Sequence, residues 1–282
     1  MFSDILLTVD YDRTLTAPDS TVPQRNLEAI RYFMENGGTF TVNTGRSIPM
    51  TRAFRDKIPV NAPLLLYNGS GAYDLKKQEM LFCHEIQADP WEIAEYCMET
   101  FPDLTFEVQG LDAHYRFAEN PMWDALSDYN LCARAFAEPG HVFKPFLKFS
   151  LYGEIRSNQI SHMFEGTEAE LKRMDAAEAQ LRRVFGEKME IFRAGARIID
   201  VHAKGVSKMR SARELKEALH KKILVCIGDG ENDVSMLQGA DYAFCPADAV
   251  VADRFLNVCK CADGAVADVI YREIPKILRN NT

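Results

Sequence analysis

Residues Ile5 to Val9 are apolar except for Thr8, and the run stops at two aspartates, Asp10 and Asp12. A short run of this kind suits a parallel strand buried on both faces. Pro23 then opens a segment in which Leu27, Ile30, Phe33 and Met34 recur at helical spacing, and Gly37-Gly38 closes it. Thr39–Asn43 predicts a second strand ending at Thr44-Gly45-Arg46. A polar helix is expected next, and then a third strand over Pro63–Tyr67 that runs into Asn68-Gly69, a strong hairpin signal. Strand and helix in alternation predict a parallel sheet with helices on both faces.

The middle of the chain has a different pattern. Asp89-Pro90 begins a helix carrying Trp91, Ile93, Ala94 and Cys97, and a longer helix is predicted over roughly Thr167–Phe185. Between and after them lie strand-like stretches at Leu104–Val108, His114–Phe117, Phe146–Tyr152, Met189–Arg193 and Arg197–His202. Two helices over several mainly antiparallel strands make an α+β module. From Val206 the alternation returns: a helix capped by Ser207, a strand at Ile223–Ile227 ending in Gly228-Asp229-Gly230, a short helix over Asp233–Leu237, a strand at Tyr242–Cys245 and a helix over Ala265–Ile274. The expected organisation is an α/β core of residues 1–83 and 202–282, Rossmann-like with helices on both faces. An α+β domain of residues 84–201 is inserted into it.

Composition narrows the partners. The chain has 282 residues, 47% of them apolar, enough for a true core. Its 33 basic against 41 acidic residues leave a formal charge of −8, so nucleic acid and anionic membrane are not expected partners. An anionic substrate would need positive charge supplied locally. Seven scattered cysteines suit reduced thiols, and the pair Cys259-x-Cys261 lacks the companions of a zinc site. With no signal or membrane segment evident at the start, a cytoplasmic protein is expected.

The polar residues that could do chemistry sit just after apolar strands: Asp10 and Asp12, Thr44, Asn68, and Asp229 with Asn232 and Asp233. In open parallel sheets ligands bind at those strand ends. Taken singly, Asp-x-Asp and Gly-Asp-Gly are also ordinary turn sequences. Taken together, three carboxylates converging in a partly dry site would repel one another unless a cation joined them. Oxygen donors without Cys or His favour magnesium over zinc. Asp10 could then act as a nucleophile on phosphorus, with Asp12 as acid and base. Thr44 could hold phosphate oxygens, and Lys208 could offset developing negative charge.

Asp10-Tyr11-Asp12-Arg13-Thr14-Leu15-Thr16, Thr44-Gly45-Arg46, Lys208, and Gly228-Asp229-Gly230-Glu231-Asn232-Asp233 resemble the four motifs of the haloacid dehalogenase superfamily. Their order and the insertion point are similar to the Cof-like sugar-phosphatase branch with an α/β cap. The resemblance implies hydrolysis of small phosphorylated metabolites, sugar phosphates foremost, through an aspartyl-phosphate on Asp10. Asp12 would be acid/base, with Lys208 catalytic; Thr44, Gly45, Arg46, Asn68 and Asn232 would contact phosphate or substrate. Magnesium (Mg2+) would be held by Asp10, the Asp12 carbonyl and Asp229, with Asp233 in support. A phosphotransferase of the phosphomannomutase type and a catalytically silent phosphometabolite-binding protein are the alternatives. Two positions depart from the family pattern. Arg13 stands where glycine is common, implying a conformation open to an L-residue, and Asp248 stands where asparagine is common. Blander readings accompany the rest. Arg46 could form a surface ion pair, Trp91 and Trp123 read as core, the histidines as non-catalytic, and Glu168, Glu170 and Glu178 as a solvated helix face.

Overall fold

The computed structural model describes residues 1–119, 132, 134–154 and 165–280; Trp123 lies outside them. The chain divides into two compact units. The first comprises Met1–Gly45, Asp56–Phe82 and Ser207–Thr282, and the second comprises Arg46–Arg55 and Cys83–Val206. Residues 46–55, 83 and 202–206, placed with the core by the sequence pattern, group with the second unit.

The first unit is built on a five-stranded parallel sheet. Its strands are β1 (Ile5–Val9), β2 (Thr39–Val42), β12 (Ile223–Ile227), β13 (Tyr242–Pro246) and β14 (Leu256–Val258), in the order β14-β13-β12-β1-β2. The β1, β2 and β12 residues are almost all fully buried, and apart from Thr8, Thr39 and Thr41 they are apolar. Helix α1 (Gln24–Glu35) ends at Asn36-Gly37, where Gly37 takes a φ of 90°. Helices α4 (Lys208–Ala218) and α5 (Val234–Gly239) lay Met209, Ala212, Leu215, Met236 and Leu237 against Leu6, Leu224 and Cys226 of the sheet. The last helical stretch runs from α6 (Ala265–Asp268) to α7 (Ile274–Asn280).

Two expectations change here. The third strand, β3 (Leu64–Leu66), belongs to a separate three-stranded sheet with β4 (Gly71–Asp74) and β5 (Glu79–Cys83), and joins the end of β2 through a parallel Asn43–Leu65 bridge. It turns at Tyr67-Asn68-Gly69 and pairs antiparallel with β4, as Asn-Gly predicts. The polar helix expected after Arg46 is only a single tight turn, Pro49–Ala53. Ile48 before it and Thr51 within it are β-branched, and Phe54 leaves helical geometry at a φ of −138°, so no helix propagates.

The second unit carries a six-stranded sheet. Its strands are β6 (Thr105–Gln109), β7 (His114–Arg116), β8 (Arg134–Phe136), β9 (Lys148–Tyr152), β10 (Met189–Gly195) and β11 (Ile198–Ala203), in the order β10-β11-β9-β6-β7-β8. All pairings are antiparallel except β7 with β8. Helices α2 (Pro90–Thr100) and α3 (Glu168–Phe185) cover one face, and Phe106, Val108, Phe149, Leu151, Ile199 and Val201 form the core beneath them with Ile93, Cys97, Met174 and Leu181. Trp91 packs on this core, with its ring nitrogen donating to the His141 carbonyl at 3.1 Å. Thr167 and Glu170 cap α3 reciprocally, and Glu178 pairs with Arg182 and Arg193; only Glu168 of the three glutamates is fully exposed.

Candidate active site

Strand register assembles the site. Val9 lies opposite Val42 on one side and Ile227 on the other, so the residues that follow these strands leave the sheet at one edge. Those residues are Asp10, Asn43-Thr44 and Gly228-Asp229, the carboxyl-end position where parallel sheets bind ligands. The Asp10 amide donates to the Ile227 carbonyl at 2.9 Å, and the Asn43 amide to the Val9 carbonyl at 2.8 Å, extending the ladder past its last strand residues.

Ser207 caps α4 by accepting from the Arg210 amide at 3.1 Å, which sets Lys208 at the head of the helix. The Lys208 ammonium donates to Asp10 Oδ1 at 2.5 Å and to Asp233 Oδ1 at 2.6 Å. Asp233 Oδ2 accepts from the Asp229 and Gly230 amides, each at 3.0 Å. A Cβ on Gly228 would lie 2.6 Å from the Asp233 side chain, so only glycine admits this fold-back. Carboxylate oxygens of Asp10, Asp229 and Asp233 lie within 4.8 Å of one another.

Charge in this cluster does not balance. Lys208 is 1% exposed, Asp10 6%, Asp233 0% and Asp229 9%, so three carboxylates face one ammonium in a nearly dry site. Burial, resisted by Lys208 and reinforced by Asp233, Asp229 and Asp12, pushes Asp10 well above its ordinary 3.8. Burial and the Asp233 carboxylate raise Asp229 to about 7. Burial alone would lower Lys208, but Asp10 and Asp233 outweigh it and raise the ammonium instead. Such a set of oxygen donors fits a hard divalent cation, which would supply the missing positive charge.

The structure brings the other predicted residues of this unit to the same strand ends. The Thr44 amide donates to the Leu65 carbonyl at 2.9 Å, and the Asn68 amide donates to the Thr44 carbonyl at 3.0 Å. A Cβ on Gly45 would fall 2.8 Å from Asn68 Oδ1, so the Thr44-Gly45 backbone approaches Asn68 closely. The Asn232 side-chain amide donates to Asn68 Oδ1 at 3.4 Å, joining the fourth sequence motif to the turn after β3. Asp12 is half-buried in the turn after β1. Arg46 is buried and groups with the second unit, not with these residues. Arg13 overturns an expectation: its φ of 60° and ψ of 9° put it in the left-handed region that glycine favours. Its side chain is exposed, and its amide donates to Thr16 Oγ1 at 3.1 Å. Asp248 accepts from the amide of Cys261 at 3.0 Å and from its thiol at 3.3 Å.

Two positioning residues received no role in the sequence reading. Thr14 donates to Asp229 Oδ1 at 3.2 Å, and Asn43 donates to the Lys208 carbonyl at 2.9 Å. The signal for Asn43 was available, since it ends an apolar strand as Asp10 does. Thr14 carries no such signal, because its partner lies 215 residues away.

Known proteins share this architecture. A hydrolase of Schizosaccharomyces pombe is 22% identical over 95% of this chain and 90% of its own. A haloacid dehalogenase-like hydrolase from Bacteroides thetaiotaomicron superposes with a TM-score of 0.79 at 19% identity, covering 95% of this chain and 98% of the other. The subclass IIB sugar phosphatase BT4131 superposes with a TM-score of 0.71 at 18% identity, over 94% and 97% of the two chains. The family of haloacid dehalogenase-like hydrolases matches residues 7–264, and this chain belongs to that family.

Proposed function

We propose that the protein is a magnesium-dependent phosphatase that hydrolyses small phosphorylated metabolites, sugar phosphates foremost, through a covalent intermediate on Asp10. The observation that carries this reading is the convergence of Asp10, Asp229 and Asp233 around Lys208 at the carboxyl edge of the parallel sheet. The sugar-phosphate preference is supported by the likeness to a structure described as a sugar phosphatase. With 41 acidic against 33 basic residues, the net charge does not favour a nucleic-acid substrate.

In this reading the Asp10 carboxylate attacks phosphorus, and the bond from phosphorus to the ester oxygen breaks as the new bond forms. Asp12 gives its proton to the departing oxygen. It then takes one from the water that attacks the aspartyl-phosphate, releasing inorganic phosphate and restoring Asp10. Thr44 holds phosphoryl oxygens, and Lys208 keeps Asp10 oriented while offsetting negative charge in the transition state. Asp10, the Asp12 carbonyl and Asp229 would hold magnesium, and Asp233 fixes the Asp229 loop through its two amide contacts. When bound, the ion supplies charge neutralisation for the acidic cluster and the phosphate.

Asp10→Asn tests the assignment. Turnover of p-nitrophenyl phosphate with magnesium is expected to fall by at least about a thousandfold. Retention of wild-type turnover in highly purified variant enzyme would refute the assignment. Inorganic phosphate as the product, in place of a rephosphorylated sugar, would separate hydrolysis from a mutase reaction.

A further inference from the structure

The face of the second-unit sheet opposite its helices is polar, yet it is buried. Alternate residues of β6, β7, β9 and β11 place Glu107, Gln109, His114, Lys148, Ser150, Asp200 and His202 there, none more than 4% exposed. Glu107 is the hub. Its Oε1 accepts from Tyr152 at 2.9 Å and lies 3.0 Å from His114 Nδ1, while its Oε2 accepts from Arg134 Nε at 2.9 Å. The other ring nitrogen, His114 Nε2, lies 2.6 Å from Ser47 Oγ. Serine, histidine and glutamate thus stand in a row with the spacing of a hydrolytic triad.

A nucleophilic role does not fit the surroundings. Ser47, His114 and Glu107 are all 0% exposed, so the hydroxyl has no route to an ester. The Glu107 carboxylate draws the imidazole proton to Nδ1, which leaves Nε2 as the acceptor and makes Ser47 the donor. Burial lowers His114 despite Glu107, which favours this neutral form. The chain is therefore built to hold Ser47 still.

What Ser47 holds follows from its place in the chain. It is the third residue after Thr44, and the chain passes from the first unit to the second between Gly45 and Arg46. At most roughly 10 Å of extended backbone separates the anchored serine from the predicted phosphate-binding hydroxyl. We propose that His114, oriented by Glu107, is a positioning residue that fixes the phosphate-binding loop of Thr44 through its hydrogen bond with Ser47. His114 thereby sets affinity for the phosphoryl group itself, whatever the leaving group. This rests on the phosphatase reading and gives it a second requirement.

The test compares wild type, Ser47→Ala, His114→Ala, the double variant and Ser47→Thr. KM is measured for p-nitrophenyl phosphate with magnesium, and the dissociation constant of inorganic phosphate by calorimetry. Each alanine variant is expected to raise both constants about tenfold, the loss of one buried hydrogen bond, with the change falling on KM more than on kcat. The double variant should be no worse than either single, because both break one bond. Ser47→Thr, which keeps the hydroxyl, should restore both constants. If the constants stay at wild-type values while only thermal stability falls, or if the two effects multiply, the proposal is wrong. Should His114→Ala not fold, the Ser47 pair decides, since it changes a hydroxyl alone. Wild-type turnover with unshifted variants overturns this inference only. Wild type that neither hydrolyses the ester nor binds phosphate overturns the phosphatase reading and this inference with it.

Discussion

The two units each bury a cluster of charged side chains, and the clusters are opposite in design. In the first, Asp10, Asp229 and Asp233 share one buried cation, Lys208, and Asp10 and Asp229 are pushed upward by burial and mutual repulsion. In the second, Glu107 and Asp200 face Arg134 and Lys148, with contacts of 2.9 and 2.7 Å, and Glu107 is held well below the usual carboxylate range despite its burial, by His114 and Arg134. A balanced buried network completes itself, whereas a cluster with surplus negative charge is stable only with a missing cation. The difference separates the cluster proposed to carry the chemistry from one that needs no added ion to balance its charge.

The largest expected effect breaks the balanced cluster. Glu107→Gln leaves Arg134 without its countercharge in a buried site, and should cost about 3 kcal/mol or more in urea unfolding. A loss below about 1 kcal/mol would mean that the Glu107–Arg134 pair does not balance charge in the way described. Next comes the unbalanced cluster. Asp229 has a folded pKa of about 7 against an ordinary 3.8, so ionising it costs folding free energy. Its contribution in metal-free protein should become more destabilising as pH rises from 3.8 towards 7. Magnesium at about a hundredfold its dissociation constant should return roughly 2.7 kcal/mol at pH 7.5. It should return less at pH 5, where protons compete for the carboxylates. Thermal melts with and without magnesium at the two pH values measure this, and equal shifts would contradict the surplus-charge account. The smallest effect concerns Arg13. Arg13→Gly relieves a left-handed backbone at a loss of chain entropy, and should raise stability by no more than about 1 kcal/mol. Destabilisation would show that the arginine side chain makes a contact worth more than the strain.

The same contrast explains what the sequence could reveal. Asp10, Thr44 and Asp229 each follow a strand whose apolar run is plain, so their meeting at one edge was legible from strand order and the rule for parallel sheets. Lys208 was legible through the capping serine before it and through the family motif. The balanced cluster left no comparable trace. Glu107 is a lone charge in Thr105–Gln109, 27 residues from Arg134 and 45 from Tyr152, and no local pattern joins them. Strand β8, only three residues long, was missed for the same reason. Left-handed backbone is rare for an L-residue, and at Arg13 it is imposed by a turn that no local pattern signals, closed by the Leu15 amide donating to the Asp10 carbonyl at 3.2 Å.

The central claim is that Asp10 itself carries the phosphoryl group during turnover. Acid quenching of the enzyme during hydrolysis of p-nitrophenyl phosphate, followed by peptide mapping by mass spectrometry, tests it directly. A phosphoryl adduct on Asp10, absent from Asp10→Asn, is the predicted result; an adduct on a different side chain of the actively hydrolysing enzyme would contradict it.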